Sequence, residues 1–148
     1  MDFDDRVETL LRQPCWLIDI FPVQVKEEFR EKYFDAEEYF VRNRMESFAY
    51  KITNVILKLR CYFSITCCFN GKWHEHDSSC EIAEWIQASL TSGDDYLNML
   101  LSDENTLITV SDDLYVAVYN PDENVKRMLS VLVKSEGLFF REPESEKC

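Results

Sequence analysis

Apolar and polar positions follow their clearest pattern between residues 106 and 141. Residues 106–110 are apolar and β-branched, and residues 114–119 alternate between two sides, so both runs predict strands. The cluster 111–113 (Ser-Asp-Asp) separates them, and short polar side chains of this kind favour a turn. The two runs are therefore predicted to pair as a β-hairpin.

A helix and a short strand are predicted directly after this hairpin. Over 122–136, apolar residues recur at helical spacing and build one face: Val125, Met128, Leu129, Leu132 and Val133. Gly137 is expected to end the helix, because glycine enters the left-handed cap conformation without strain. Residues 138–141 then predict an exit strand, and a strand, a helix and a strand joined this tightly imply a β-α-β crossover.

The N-terminal half predicts helices and strands in the order helix, strand, helix, strand. Before the second helix, residues 22–34 are irregular and charged, and Asp35 is a candidate cap for a segment in which Ala36, Tyr39 and Phe40 share a face. A short amphipathic helix is expected over 3–12 and an apolar strand over 15–21. A long apolar stripe predicts a core helix over 44–59. The hydrophobic period then changes from 3.6 to 2, which predicts a strand over 61–69 with one dry face.

A mainly helical segment is predicted between this half and the hairpin. A turn signal precedes 72–76, which is expected to form a short returning strand. Ser78 and Glu81 fit a capping box, so a helix begins there and ends near Gly93. A second short helix is expected to carry three leucines: Leu97, Leu100 and Leu101.

These elements predict a single α+β domain over 1–148 with a ferredoxin-like, split β-α-β plait. The first β-α-β half spans 14–69, a helical insert spans 70–105, and a ββαβ second half spans 106–142. The extra strand lies in the second half. The charged tail 143–148 is expected to fray.

The plait places its helices on one sheet face and leaves the opposite face open, with a predicted binding face of five residues: Tyr62, Ser64, Thr66, Tyr115 and Tyr119. Asp19 and one of Phe139 or Phe140 are candidates to join them. Three tyrosines on an open sheet exceed what a monomer usually exposes. The insert, a second copy of the chain or a ligand is therefore expected to cover this face.

Composition limits which partners the protein can bind and in which cellular compartment we expect it. The chain of 148 residues carries a formal net charge of −12, and the acids concentrate in 61–124, where Lys72 is the one base. This charge repels phosphate backbones and argues against nucleic-acid binding, although tyrosines on a sheet face resemble the base-stacking surface of RNA-recognition domains. No apolar run is long enough for a membrane span. An acidic N-terminus and cysteines within apolar runs predict reduced thiols in a cytoplasmic protein.

The best candidate for a chemically active site is a cluster of cysteine and histidine residues: Cys68, His74, His76 and Cys80. Imidazole and thiolate are ligands for zinc or a similar ion, but the spacing matches no established zinc pattern. The alternative interpretation is a surface loop. No catalytic residues are assigned, because the chain has no glycine-rich phosphate loop and its paired aspartates lie at turns.

The sequence therefore predicts a non-catalytic protein-interaction or regulatory module without a cofactor. It would act through the open sheet face on a protein partner or on a second copy of the chain. The alternative is a metal-binding or thiol-dependent protein that uses the cysteine and histidine cluster.

Overall fold

The computed structural model describes residues 2–75 and 77–143, in which helices and strands surround one antiparallel sheet. The helices are α1 (Phe3–Leu10), α2 (Arg30–Asn43), α3 (Met45–Leu59), α4 (Ser79–Thr91) and α5 (Glu123–Ser135). The strands are β1 (Cys15–Asp19), β2 (Ile65–Phe69), β3 (Lys72–His74), β4 (Leu97–Leu101), β5 (Thr106–Val110), β6 (Tyr115–Tyr119) and β7 (Phe139–Arg141). A short 3₁₀ turn, Glu27–Phe29, precedes α2.

The seven strands lie in the order β3-β2-β4-β5-β6-β1-β7, and every neighbouring pair is antiparallel. Because β1 is antiparallel to both β6 and β7, those two strands run in the same direction on either side of it. The unit β6-α5-β7 is thus a split β-α-β unit around β1. The unit β3-α4-β4 has the same relation to β2.

The predicted hairpin and the helix after it are confirmed. Strands β5 and β6 pair in register, with Ile108 opposite Val118. Helix α5 begins after Asp122, whose carboxylate accepts a hydrogen bond from the amide of Val125 at 2.8 Å. Gly137 ends the segment with a φ of 76°, the left-handed conformation that glycine adopts without strain.

The predicted helical insert is wrong over part of its length. Only α4 is helical there, and the leucines assigned to a second helix form β4, a strand inside the sheet. Leucines at 97, 100 and 101 fit helical spacing, but Met99 lies on the same sheet face as Leu97 and Leu101. Leu100 packs on the opposite face. A strand covered on both faces reads as a continuous apolar run, which spacing alone does not distinguish from a short helix.

The ferredoxin-like plan is not confirmed: the fold is a mixed helix and strand structure with one open antiparallel sheet of seven strands. In the predicted split β-α-β plan, the first half connects β1 and β2 through the helix 44–59, with one strand between them. In the sheet these two strands are separated by β4, β5 and β6. Strand β4 arises from the supposed insert, and it changes the order of the sheet.

The main core lies on the sheet face that α3, α4 and α5 cover, here called the first face. The apolar stripes of these helices meet inward-facing strand residues, among them Ile18, Cys67 and Val118. The predicted stripe of α3 is buried along its whole length, from Met45 to Leu59. This burial supplies the main apolar driving force for the fold.

The opposite face, here called the second face, is not open, because α1 packs across it. Val7 and Leu10 of α1 form a second apolar cluster with sheet residues that include Leu107 and Tyr119. Polar contacts fasten the helix: the indole nitrogen of Trp73 donates to Asp4 at 2.8 Å. The expectation that helices cover only one side of the sheet is therefore wrong.

Helix α2 contrasts with the others because none of its 14 residues is buried. Phe34, Tyr39 and Val41 are about half exposed, and only Phe40 packs against the main core. The helix joins α3 through Arg44, whose φ of −132° and ψ of 8° depart from helical geometry. Helix α2 therefore lies at the edge of the fold, and the first half of the helix lines a cavity.

Candidate functional site

The structure separates the five residues of the predicted binding face. Tyr62 is 63% exposed, and both Tyr62 and Ser64 lie in the turn before β2 rather than on the sheet. Thr66 lies on β2 and is half-buried. Tyr119 lies on the second face but is buried beneath α1, and Tyr115 is exposed by 37%. No continuous tyrosine face results, and Tyr115 is the member that borders a cavity.

That cavity is a cleft of about 300 Å³ at the end of the second face that α1 leaves uncovered. The ends of β1, β6 and β7 line one side, and the segment 20–30 with the first half of α2 lines the other. Its volume lies at the lower limit of ligand pockets, so it suits one or two side chains. The cleft is the candidate functional site.

An ion pair forms the inner wall of the cleft. Asp19 ends β1, directly opposite Tyr115 of β6 and Phe139 of β7. Arg141 of β7 reaches across and donates to the Asp19 carboxylate at 2.7 Å, and both side chains are largely buried. The second oxygen of Asp19 accepts a hydrogen bond from the amide of Phe21 at 3.3 Å. The pair thereby joins the edge strand β7 to β1 and to the loop that follows it.

Aromatic rings form the outer wall. Phe21 and Tyr33 lie with ring centroids 5.5 Å apart, and Tyr33 and Phe34 with centroids 5.7 Å apart. The guanidinium of Arg30 lies over the Phe34 ring at 5.4 Å, and Tyr115 faces the cleft from the sheet. The rings come from three separate segments of the chain, and only folding brings them together.

Carboxylates complete the lining. The hydroxyl of Tyr33 donates to Oε2 of Glu37 at 2.9 Å, one helical turn further along α2. Asp113 of the hairpin turn lies near Tyr115, and Glu27 lies at the mouth. Carboxylates therefore surround the two phenol groups from both sides of the cleft.

The titration of the phenols reflects this environment. Burial raises the pKa of Tyr33 to about 12, together with its hydrogen bond to Glu37 and the charges of Glu37 and Asp19. Burial also raises the pKa of Tyr115, with the charge of Asp113 next in importance. Burial and the neighbouring carboxylates thus both disfavour ionisation of the two phenols.

This shift predicts that the protein loses stability as pH rises from 10 to 12. Unfolded Tyr33 ionises near its ordinary pKa of 10.0, whereas folded Tyr33 ionises near 12. Between these values only the unfolded state loses its proton, so ionisation favours unfolding. Urea unfolding at stepped pH should show a steeper fall for the wild type than for Tyr33→Phe. Parallel curves for the two proteins would contradict the assignment.

The predicted cysteine and histidine cluster does not converge. On β3, His74 stands opposite Cys67, whereas Trp73 stands opposite Cys68. Cys68 and His74 therefore point to opposite faces of the sheet, and His76 lies outside the described residues. Cys80 is exposed at the start of α4. Within residues 2–75 and 77–143, no three histidine, cysteine or acidic side chains are placed to hold a metal ion.

The cysteines also correct one expectation about redox state. Cys61, Cys67, Cys68 and Cys80 are free thiols, but Cys15 is disulfide-bonded. The prediction that all thiols are reduced is therefore wrong for Cys15. A cytoplasmic location, which rested partly on reduced thiols, stays a prediction.

Sequence reasoning identified two members of the cleft, Tyr115 and Asp19, and predicted only the part of α2 that follows Asp35. Residues 22–34 read as irregular and charged, so Tyr33 was not placed on a helix. The available signal was the spacing of Tyr33 and Glu37, four residues apart, with further aromatic residues close by. Which sheet end these residues would face depends on the tertiary structure.

Comparison with protein families, with curated proteins and with solved structures finds no match to this chain. Among the helices of the described ranges, none combines the length and apolar character that crossing a bilayer requires.

Proposed function

We propose that the protein is a non-catalytic interaction module that holds a segment of a partner protein in the cleft between α2 and the second sheet face. The observation that carries this proposal is the state of α2. A helix with apolar and aromatic residues and no buried position leaves apolar surface beside the cleft. Burial of this surface by a partner would be favourable.

The rim of the cleft favours a protein over a small molecule. Besides Phe34, which lines the cavity, exposed apolar side chains extend beyond it, on and just before α2: Val23, Phe29, Tyr39 and Val41. A free metabolite of a size that fits about 300 Å³ would leave most of this surface uncovered. Aromatic residues grouped around a pocket are typical of the anchor regions of protein interfaces.

The polar groups of the cleft suit binding. Asp19 is paired with Arg141, and Glu37 accepts the hydroxyl hydrogen of Tyr33, so two of the carboxylates already hold internal partners. The Tyr33 hydroxyl donates to Glu37 at 2.9 Å, so the phenol serves as a hydrogen-bond donor in the cleft wall. These groups shape and orient the cleft.

The proposal is tested by selecting peptides from a random phage-displayed library on the purified full-length chain. Peptides that use the cleft should bind Phe34→Ser at least about tenfold more weakly than the wild type, because the variant removes an exposed aromatic anchor. Tyr50→Ser is the matched control, since Tyr50 is 69% exposed on α3 and lies outside the cleft. It should leave the affinity unchanged.

Two results would overturn the proposal. Selected peptides that bind wild type, Phe34→Ser and Tyr50→Ser equally would show that the cleft is not the interaction site. The second result would come from analytical ultracentrifugation. If the wild type is a dimer and Phe34→Ser is a monomer, the cleft binds a second copy of the chain.

A further inference from the structure

We infer that the cleft recognises a positively charged side chain, a lysine or arginine of the partner segment. This side chain would lie against the rings of Tyr33 and Phe21, with its charged end at the carboxylate of Glu37. This inference rests on the proposed function and specifies its chemistry. It follows from the charges left uncompensated, from the rings around them, and from the bonding of Glu37.

The lining charges leave a negative remainder. Four carboxylates line the cleft together with three cationic side chains, those of Lys26, Arg30 and Arg141. Arg141 is paired with Asp19 at 2.7 Å, and Arg30 is paired with Glu27 at 2.7 Å. Glu37 and Asp113 then remain against Lys26, a remainder of one negative charge; Asp113 and Lys26 are exposed, and Glu37 is half-buried. A cation inside the cleft compensates this remainder, whereas an anion would add to it.

Arg141 does not present a free charge to an incoming anion. Its guanidinium is held by Asp19 at 2.7 Å, so its charge is already compensated inside the cleft. A ligand carboxylate bound at Arg141 would lie close to the Asp19 carboxylate, and repulsion between the two negative charges disfavours recognition of an acidic group there.

The rings supply the second half of the recognition. The tilted rings of Phe21 and Tyr33, with centroids 5.5 Å apart, and the ring of Tyr115 line the same cavity. Aromatic faces attract ammonium and guanidinium groups, and the apolar stem of lysine or arginine packs well against ring surface. The cleft thus matches both the charged end and the apolar stem of such a side chain.

Glu37 is positioned to accept from this cation. Its Oε2 atom accepts from the Tyr33 hydroxyl at 2.9 Å, which fixes the carboxylate beside the rings. That donor is neutral, so the negative charge of Glu37 is not cancelled. The bond also leaves acceptor capacity on the carboxylate for an ammonium or guanidinium donor.

The experiment uses two kinds of probe. Titration of ¹⁵N-labelled full-length protein with butylammonium chloride should shift the amides of Phe21, Glu37 and Tyr115, and sodium butyrate should not. Among the peptides that the cleft binds, exchange of one lysine or arginine for norleucine should weaken binding at least about tenfold. Glu37→Gln should weaken binding of the parent peptide to a similar extent. It should change binding of the norleucine peptide little.

Glu31→Gln is the matched control, because it removes the same charge from the exposed first turn of α2 outside the cleft. It should leave both affinities unchanged. Cleft-dependent peptides that tolerate every norleucine exchange, or a stronger response to butyrate, would overturn the inference while leaving the proposed interaction function intact. If butylammonium and the peptides bind with equal affinity, the cation site is supported, but the proposal that the cleft binds a protein partner is contradicted.

Discussion

Replacing Arg141 with methionine is expected to lower the free energy of unfolding by about 3 kcal/mol, because it leaves the buried Asp19 carboxylate without its partner. The two side chains are only 16% and 11% exposed, and they lie 2.7 Å apart. Arg141 also belongs to β7, an edge strand of three residues that pairs only with β1. The loss should be measured by urea unfolding with the same slope fitted to both proteins.

The double variant Asp19→Leu/Arg141→Met separates the pair from its surroundings. Removing both charges eliminates the uncompensated carboxylate, so the double variant should recover most of the stability that Arg141→Met loses. The amide of Phe21 still loses its acceptor, which limits the recovery. A single variant within about 0.5 kcal/mol of the wild type would contradict a structural role for the pair.

Replacing Leu10 with alanine is expected to cost about 3 kcal/mol, because it opens a cavity between α1 and the second sheet face. Leu10 is 1% exposed and packs with Leu107, Ala117 and Tyr119 of the sheet. This prediction tests the packing of α1, the feature that overturned the one-sided sheet. Urea unfolding gives the change in free energy directly.

The neighbouring residue provides the control for this prediction. Leu11→Ala deletes the same atoms from a side chain that is 44% exposed, so it should change stability by at most about 0.5 kcal/mol. If the two alanine variants are equally stable, α1 does not pack on the sheet as described. Such a result would also reopen the second face as a binding surface.

Elements with a strong local signal were predicted well. The α3 stripe and the β5–β6 hairpin satisfy periodicity and turn rules within a short stretch of chain. The capping box of Ser78 and Glu81 forms both of its hydrogen bonds, at 3.0 and 3.1 Å. These interactions join residues a few positions apart, so the sequence pattern contains them almost completely.

The wrong predictions concern elements whose structure depends on burial on both faces of the sheet or on pairing between segments far apart in sequence. The leucines of β4 satisfied helical spacing, yet a place between β2 and β5 buries them on both faces of the sheet. Tyr119 satisfied the alternation expected of an open face, yet α1 covers it from more than 100 residues away in sequence. Periodicity states which residues share a side, and it does not state what lies against that side.

The candidate site shows the same division. Asp19 and Tyr115 were recognised as a carboxylate and a ring on the second face, because alternation along a strand assigns the side. The partner of Asp19, Arg141 on β7, depends on which strands become neighbours, and the opposite wall with Tyr33 and Glu37 depends on where α2 lies. The ion pair joins residues 122 positions apart, a separation that no local pattern spans.

The sequence by itself determined the acidic character of the protein, most of its helices and strands, the start of α4 and the glycine that ends α5. Tertiary structure alone decided the strand order, the cover of α1 and the cleft beside α2. The physical reason is the range of the interactions. Hydrogen bonds of turns and caps and the spacing of apolar residues act within one or two turns of chain, whereas sheet order and cavity shape depend on how distant apolar faces share the burial available to them.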